Sequence, residues 1–216
     1  MKKYHTIIFD YDGTLHESLA IYQKAFLKAY DYLVKENLQP KRDWTAQEIG
    51  AFLGQNPKEM WGSFKPSLSD EVIQYVSSLI GEEMKASILR GEAKLYDNTL
   101  HVLETLKKEG YHLVYLSNSK TYYMEAHRNA FQLDQYFDSM ICSEMYNYIP
   151  KKHILERVKQ AFEAPMLMVG DRIHDMETGY HNRIDTVACT YGYGTEAELK
   201  DATYHISDIK ELLNIL

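Results

Sequence analysis

A doubly wound α/β sheet is the fold that this 216-residue sequence predicts, and three observations predict it. Short, nearly continuous apolar runs recur along the chain, as in strands covered on both faces. Helical apolar spacing fills the intervals between them, the pattern of βαβ units around a parallel sheet. Polar side chains able to do chemistry follow directly after these runs, and ligands of open α/β sheets bind beyond the carboxyl ends of the strands.

The runs are Thr6–Phe9, His112–Leu116, Ser139–Cys142, Met166–Val169 and Thr186–Cys189. Leu100, Leu103 and Leu106 mark a helix before the second run, closed by Lys107-Lys108-Glu109-Gly110, a basic last turn with glycine behind it. Ile154, Leu155, Val158 and Phe162 mark a helix after the third. About ninety residues separate the first run from the helix near Leu100, far more than one crossover of about a dozen residues or more requires. Within that interval Ser18–Lys35, Thr45–Phe52 and Ser69–Leu89 carry helical spacing. The expected organisation is a Rossmann-like core at 1–16 and 92–216, with an α-helical cap subdomain inserted at 17–91. Its hinges are expected near His16–Ser18 and Arg90–Leu95.

Composition narrows the function. A net charge of −7 and the lack of a Lys/Arg run argue against nucleic acid and against an anionic membrane surface as partners. The eighteen tyrosines are scattered rather than grouped as a base-stacking platform would require. The apolar stretch after Met1-Lys2-Lys3-Tyr4 ends at Asp10, short of the roughly 7–15 residues of a signal-peptide core, and no segment approaches the ~20 apolar residues of a membrane span. Cys142 and Cys189, each in an apolar run, read as buried free thiols in a reducing compartment. A cytoplasmic location is expected.

Asp10 and Asp12 carry the chemical argument. On extended backbone, side chains two residues apart point the same way, and two adjacent carboxylates need a cation or a shared proton. With a divalent metal beside them they become a phosphoryl-transfer pair, in which one carboxylate attacks phosphorus and the other moves protons. Asp171, following Met166–Val169, and Asp175, four residues on, add hard oxygen donors of the kind Mg²⁺ prefers.

Asp10-Tyr11-Asp12-Gly13-Thr14-Leu15 resembles the first motif of the haloacid dehalogenase-like hydrolase superfamily, and the resemblance extends over nearly the whole chain. Leu116-Ser117-Asn118-Ser119 is similar to its second motif, Lys151-Lys152 to its lysine motif, and Gly170-Asp171-Arg172-Ile173-His174-Asp175 to its fourth. Tyr191-Gly192-Tyr193-Gly194 is similar to its closing loop. The branch it most resembles is that of phosphoglycolate phosphatase-like enzymes with a small helical cap.

The resemblance implies a Mg²⁺-dependent phosphatase acting on a small phosphorylated metabolite through an aspartyl-phosphate. Asp10 would be the nucleophile and Asp12 the general acid and base, and the second aspartate implies phosphoryl rather than carbon–halogen chemistry. Ser117 would donate to a phosphate oxygen. Lys151 would offset charge, with Lys152 as the alternative because proline here precedes the lysines. The metal would be held by Asp10, Asp12, Asp171 and Asp175, the last through a water or by orienting the lysine. Substrate contacts are expected from Gly13, Thr14 and Asn118, and from Gln55 and Asn56 in the cap loop Phe52-Leu53-Gly54-Gln55-Asn56-Pro57. Arg172 is open between anion binding and a surface role, and His153, His174 and His181 lack zinc-signature spacing and read as surface or supporting residues. Two other functions use the same residues. A sugar-phosphate mutase would need a bisphosphate primer and release little phosphate, whereas a non-catalytic phosphate-binding protein has no reason to keep all five chemical side chains.

Overall fold

The computed structural model describes residues 3–55 and 57–216. The chain divides into two compact units, Met1–Glu17 with Leu95–Leu216, and Ser18–Lys94.

The first unit is built on six parallel strands: β1 (Thr6–Phe9), β2 (His112–Ser117), β3 (Ser139–Cys142), β4 (Met166–Gly170), β5 (Asp185–Cys189) and β6 (Tyr204–Ile206). Their order across the sheet is β3-β2-β1-β4-β5-β6, a doubly wound Rossmann-like arrangement. In this order the direction of winding reverses between β1 and β4. Phe9 is in register with Tyr115 on one side and Val169 on the other, so the residues after β1 and β4 emerge side by side at one rim.

The second unit holds the helices α1 (Leu19–Lys35), α2 (Ala46–Gly50), α3 (Pro57–Gly62) and α4 (Asp70–Leu89). The remainder flank the sheet: α5 (Thr99–Lys108), α6 (Thr121–Phe131), α7 (Lys151–Val158), α8 (Ile173–Asn182) and the short α9 (Glu196–Leu199).

Alternation along the strands feeds both faces of the sheet. Ile8, Val114, Leu116 and Met168 pack with Ile154 and Leu155 of α7 in one buried cluster. Phe9 and Tyr115 each meet Phe137 edge-on from the opposite side, at 6.1 and 5.8 Å between ring centroids. The α5 face differs from the leucine spacing read in the sequence. Thr99, Val102, Leu103 and Leu106 are buried, while Leu100 is 39% exposed, because it lies a third of a turn off the centre of that stripe.

The helical unit has its own core. Phe26 of α1 stacks on Trp61 at 6.0 Å, on Tyr30 at 5.9 Å and on Phe52 at 5.5 Å. Glu83, buried on α4, is held by Lys28 at 2.5 Å and Arg90 at 2.9 Å. Thr45 and Glu48 cap α2 reciprocally, so this helix starts at the threonine where the sequence places it. Several elements escaped the sequence reading, α6 and α9 among them. The α3 helix starts at Pro57, the last residue of the expected cap loop, and β6 is a three-residue edge strand with only Ile206 buried.

Candidate active site

The site begins where β1 stops. Tyr11 carbonyl oxygen accepts from the backbone N–H groups of Leu15 and His16, both at 2.9 Å, and this turns the chain sharply. Gly13 sits in the turn with φ +84°, and a Cβ there would lie 2.2 Å from Asp171 Oδ2. Gly192, from the loop after β5, approaches from the other side, where a Cβ would meet Asp171 Cβ at 2.4 Å and the Gly13 carbonyl at 2.5 Å. Two backbones without side chains thus close around one carboxylate.

Asp10, Asp171 and Asp175 are buried, and one oxygen of each lies within 4.8 Å of the others. Lys151, the first residue of α7, reaches into this group. Its Nζ donates to Asp10 Oδ1 at 2.7 Å and to Asp175 Oδ1 at 2.6 Å. Lys152 turns outward and pairs with Glu177 at 3.0 Å. Asp175 Oδ2 accepts from the Arg172 backbone N–H at 3.0 Å, at the start of α8. Asp171 accepts from the Tyr193 N–H at 2.7 Å and from Thr14 Oγ1 at 3.3 Å. Ser117 is buried at the end of β2, with Asn118 exposed in the bend that follows.

Charge is unbalanced here. Three carboxylates face one ammonium, all withdrawn from water. Burial, and then the charge of Asp175, push Asp10 up to about 7 against the pull of Lys151. Burial followed by Asp10 and Asp175 raises Asp171 well above the usual carboxylate range. Burial alone would lower Lys151, but Asp10 and Asp175 outweigh it and hold the ammonium charged. An all-oxygen donor set with this excess of negative charge suits a hard divalent cation, and Asp10, Asp171 and Asp175 could hold one.

Residues 7–189 match the haloacid dehalogenase-like hydrolase family. The chain belongs to that family. The pyrophosphatase PpaX of Bacillus mycoides is 24% identical to it over 220 residues, covering 99% of this chain and 97% of that protein. The phosphoglycolate phosphatase of Haemophilus influenzae is 30% identical over 131 residues, 57% of this chain and 58% of that protein. A solved haloacid dehalogenase-like hydrolase from Streptococcus pneumoniae superposes with a TM-score of 0.78 at 25% identity, covering 100% of this chain and 99% of that one. The protein is an enzyme, a hydrolase of the phosphatase kind within the haloacid dehalogenase-like family.

Asp12 stands apart from the three converging carboxylates of this hydrolase, although the sequence suggests that it shares their cation. β1 ends at Phe9, and the turn after Tyr11 sends the two aspartate side chains to different partners. Asp12 Oδ1 lies 2.9 Å from His16 Nδ1 and accepts from the Tyr123 hydroxyl at 2.7 Å. His16 is buried and stacks on Tyr11 at 5.2 Å between centroids. The Tyr11 hydroxyl in turn meets His127 Nδ1 at 2.8 Å. Burial holds His127 down to about 3, so the ring is neutral, and burial keeps the Tyr11 hydroxyl protonated. Sequence reasoning missed this aromatic and imidazole network. Its only trace there is a pair of four-residue spacings, Asp12 to His16 and Tyr123 to His127.

Gln55 is exposed in the helical unit and donates to the Ala51 carbonyl at 3.0 Å. Asn56 lies outside the described residues. Arg172 is paired with both oxygens of Glu198 at 3.2 Å. Among the described residues, no helix is long and apolar enough to cross a membrane, and Cys142 and Cys189 are buried free thiols.

Proposed function

We propose that this hydrolase is a Mg²⁺-dependent phosphatase that cleaves small phosphomonoesters through an aspartyl-phosphate on Asp10. The observation that carries the proposal is the placement of Lys151 Nζ between Asp10 and Asp175, with Asp171 alongside, at the rim where β1 and β4 diverge.

Asp10 Oδ1 attacks phosphorus, and the alcohol of the ester leaves. Lys151 carries the positive charge that keeps the attacking carboxylate ionised and offsets the oxygens of the transferred group. Asp12 gives a proton to the departing alkoxide, then takes one from the water that cleaves the acyl-phosphate. The Tyr123 hydroxyl and His16 hold Asp12 for both tasks. Ser117 donates to a phosphate oxygen from the end of β2. Mg²⁺, held by Asp10, Asp171 and Asp175, would supply further positive charge for the phosphoryl oxygens. Gly13 and Gly192 leave room for this only because neither carries a side chain. The inserted helical unit, with Gln55 and Asn56, serves as the cap that selects the substrate. The buried thiols suit the reducing cytoplasm.

The test is release of inorganic phosphate from a panel of phosphorylated metabolites, with phosphoglycolate and pyrophosphate included, in Mg²⁺ and after its removal by EDTA. Hydrolysis should require the metal and disappear in Asp10→Asn. Turnover that survives both treatments would overturn the assignment.

A further inference from the structure

A second cluster of metal-ligating side chains lies on the same unit, outside the acidic site. His153 and Glu156 stand one helical turn apart on α7, and His181 sits in the last turn of α8 beside them. His153 Nδ1 and His181 Nε2 both lie 3.2 Å from the same Glu156 oxygen, Oε2. The two rings are nearly perpendicular, at 82°, with centroids 4.9 Å apart. One donor atom from each of the three residues falls within 4.8 Å of the others. The sequence offers three candidate histidines, and the fold brings two of them together. His174, on α8 with His181, stays exposed and outside the group.

We propose that His153, Glu156 and His181 form a surface site for a divalent transition metal of the zinc type, bridging α7 to α8. Two imidazoles and a carboxylate are the donors of three-ligand zinc sites, whereas Mg²⁺ and Ca²⁺ take oxygen donors. Bonds of about 2.0–2.1 Å in a tetrahedron place neighbouring donors roughly 3.3–3.4 Å apart, close to the two separations of 3.2 Å observed. The side chains are 43%, 53% and 34% exposed, so water can complete the shell and the ion can enter without the fold opening. Donor chemistry also separates the two sites: this one is nitrogen-rich and the Asp10 group is all oxygen.

The position gives the ion a structural consequence. α7 carries Lys151 and α8 carries Asp175, the two partners of the buried ion pair. The same helices are already joined by Lys152 with Glu177, and by Asn182 Nδ2, which donates to the Lys152 carbonyl at 3.0 Å. A metal held by His153, Glu156 and His181 adds a further tie between them.

The experiment is zinc binding to the whole metal-stripped protein, by calorimetry and by equilibrium dialysis, in millimolar Mg²⁺ to occupy the oxygen site. The expected result is one Zn²⁺ per chain, with an upward shift of Tm on binding. His153→Ala, His181→Ala and Glu156→Gln should each weaken that binding by at least about tenfold, since even loss of a partner behind a metal ligand costs ten- to a hundredfold. His174→Ala should bind as the parent does. All four variants should keep the phosphatase activity measured in Mg²⁺ alone, which shows that they are folded. Absence of a zinc site in the parent, or unchanged zinc affinity in any one of the three ligand variants, would overturn the proposal. Pairing of each histidine with Glu156 by hydrogen bonds alone predicts the first of those outcomes.

Discussion

Tyr123, on α6, donates its hydroxyl to Asp12 Oδ1 at 2.7 Å across 111 residues of chain, and His16 Nδ1 lies 2.9 Å from the same oxygen. One carboxylate oxygen is thus gripped from two directions, which limits how the side chain can rotate. Burial, and then Asp12 itself, raise Tyr123 well above its ordinary value, so it remains a donor throughout the working range.

Tyr123→Phe removes that donor while keeping the ring. A hydrogen bond to a charged group contributes about 1.5–3 kcal/mol, so kcat should fall roughly ten- to a hundredfold with little change in KM. Steady-state kinetics with an aryl phosphate reads the split. A rise in KM at constant kcat would show that Tyr123 serves substrate binding rather than Asp12.

Lys151→Met leaves Asp10 and Asp175 buried without their ammonium. Breaking a buried ion pair in this way costs about 3–5 kcal/mol, and the activity should drop a hundredfold or more. Lys152→Ala, which disrupts only an exposed pair with Glu177, should stay within about 0.5 kcal/mol of the parent and retain activity. Urea unfolding at pH 8 with parallel phosphate assays distinguishes the two lysines. Equal losses would mean that the outward lysine shares the role.

Acidity should trade against the metal. Asp10 is held up to about 7, above the unfolded carboxyl value of about 3.9, so between those pH values the folded state binds a proton that the unfolded chain has released. Stability from this group therefore falls as pH rises through the window, by about 1.4 kcal/mol per pH unit. Mg²⁺ has to displace that proton at pH 6 and not at pH 8. The rise in Tm on adding Mg²⁺ should be larger at pH 8, and Asp10→Asn should diminish the difference. A metal-induced shift independent of pH would contradict the charge balance described for the site.

Gly192→Ala places a methyl group 2.4 Å from Asp171 Cβ and 2.5 Å from the Gly13 carbonyl. It should destabilise by about 1–3 kcal/mol and depress activity by displacing Asp171. Gly62→Ala, in α3, meets nothing within 4 Å and should stabilise by about 0.4–1 kcal/mol. Thermal melts of the two variants should move in opposite directions.

The parallel core was legible because its strands are buried on both faces, and burial leaves an unbroken apolar run such as Leu113–Leu116 or Leu167–Val169. The three-residue β6 left no such run, since only Ile206 is covered. Asp10 and Asp171 were legible for a related reason: a carboxylate directly after a buried strand is costly unless something compensates it. The partners of Asp12 were not, because contacts made by a turn and a distant helix leave no local pattern. The same holds for the trio on α7 and α8, where His181 lies 25 residues beyond Glu156.

By itself, the sequence determined the sheet and the carboxylates that directly follow its strands, since periodicity and burial act over a few neighbouring residues. Tertiary structure decided which carboxylates converge, which lysine is buried among them, and that Asp12 answers to His16 and Tyr123. Those outcomes depend on where the chain turns after Phe9 and how α6, α7 and α8 dock, and electrostatic pairing over 2.6–2.9 Å is settled only once those elements are in place.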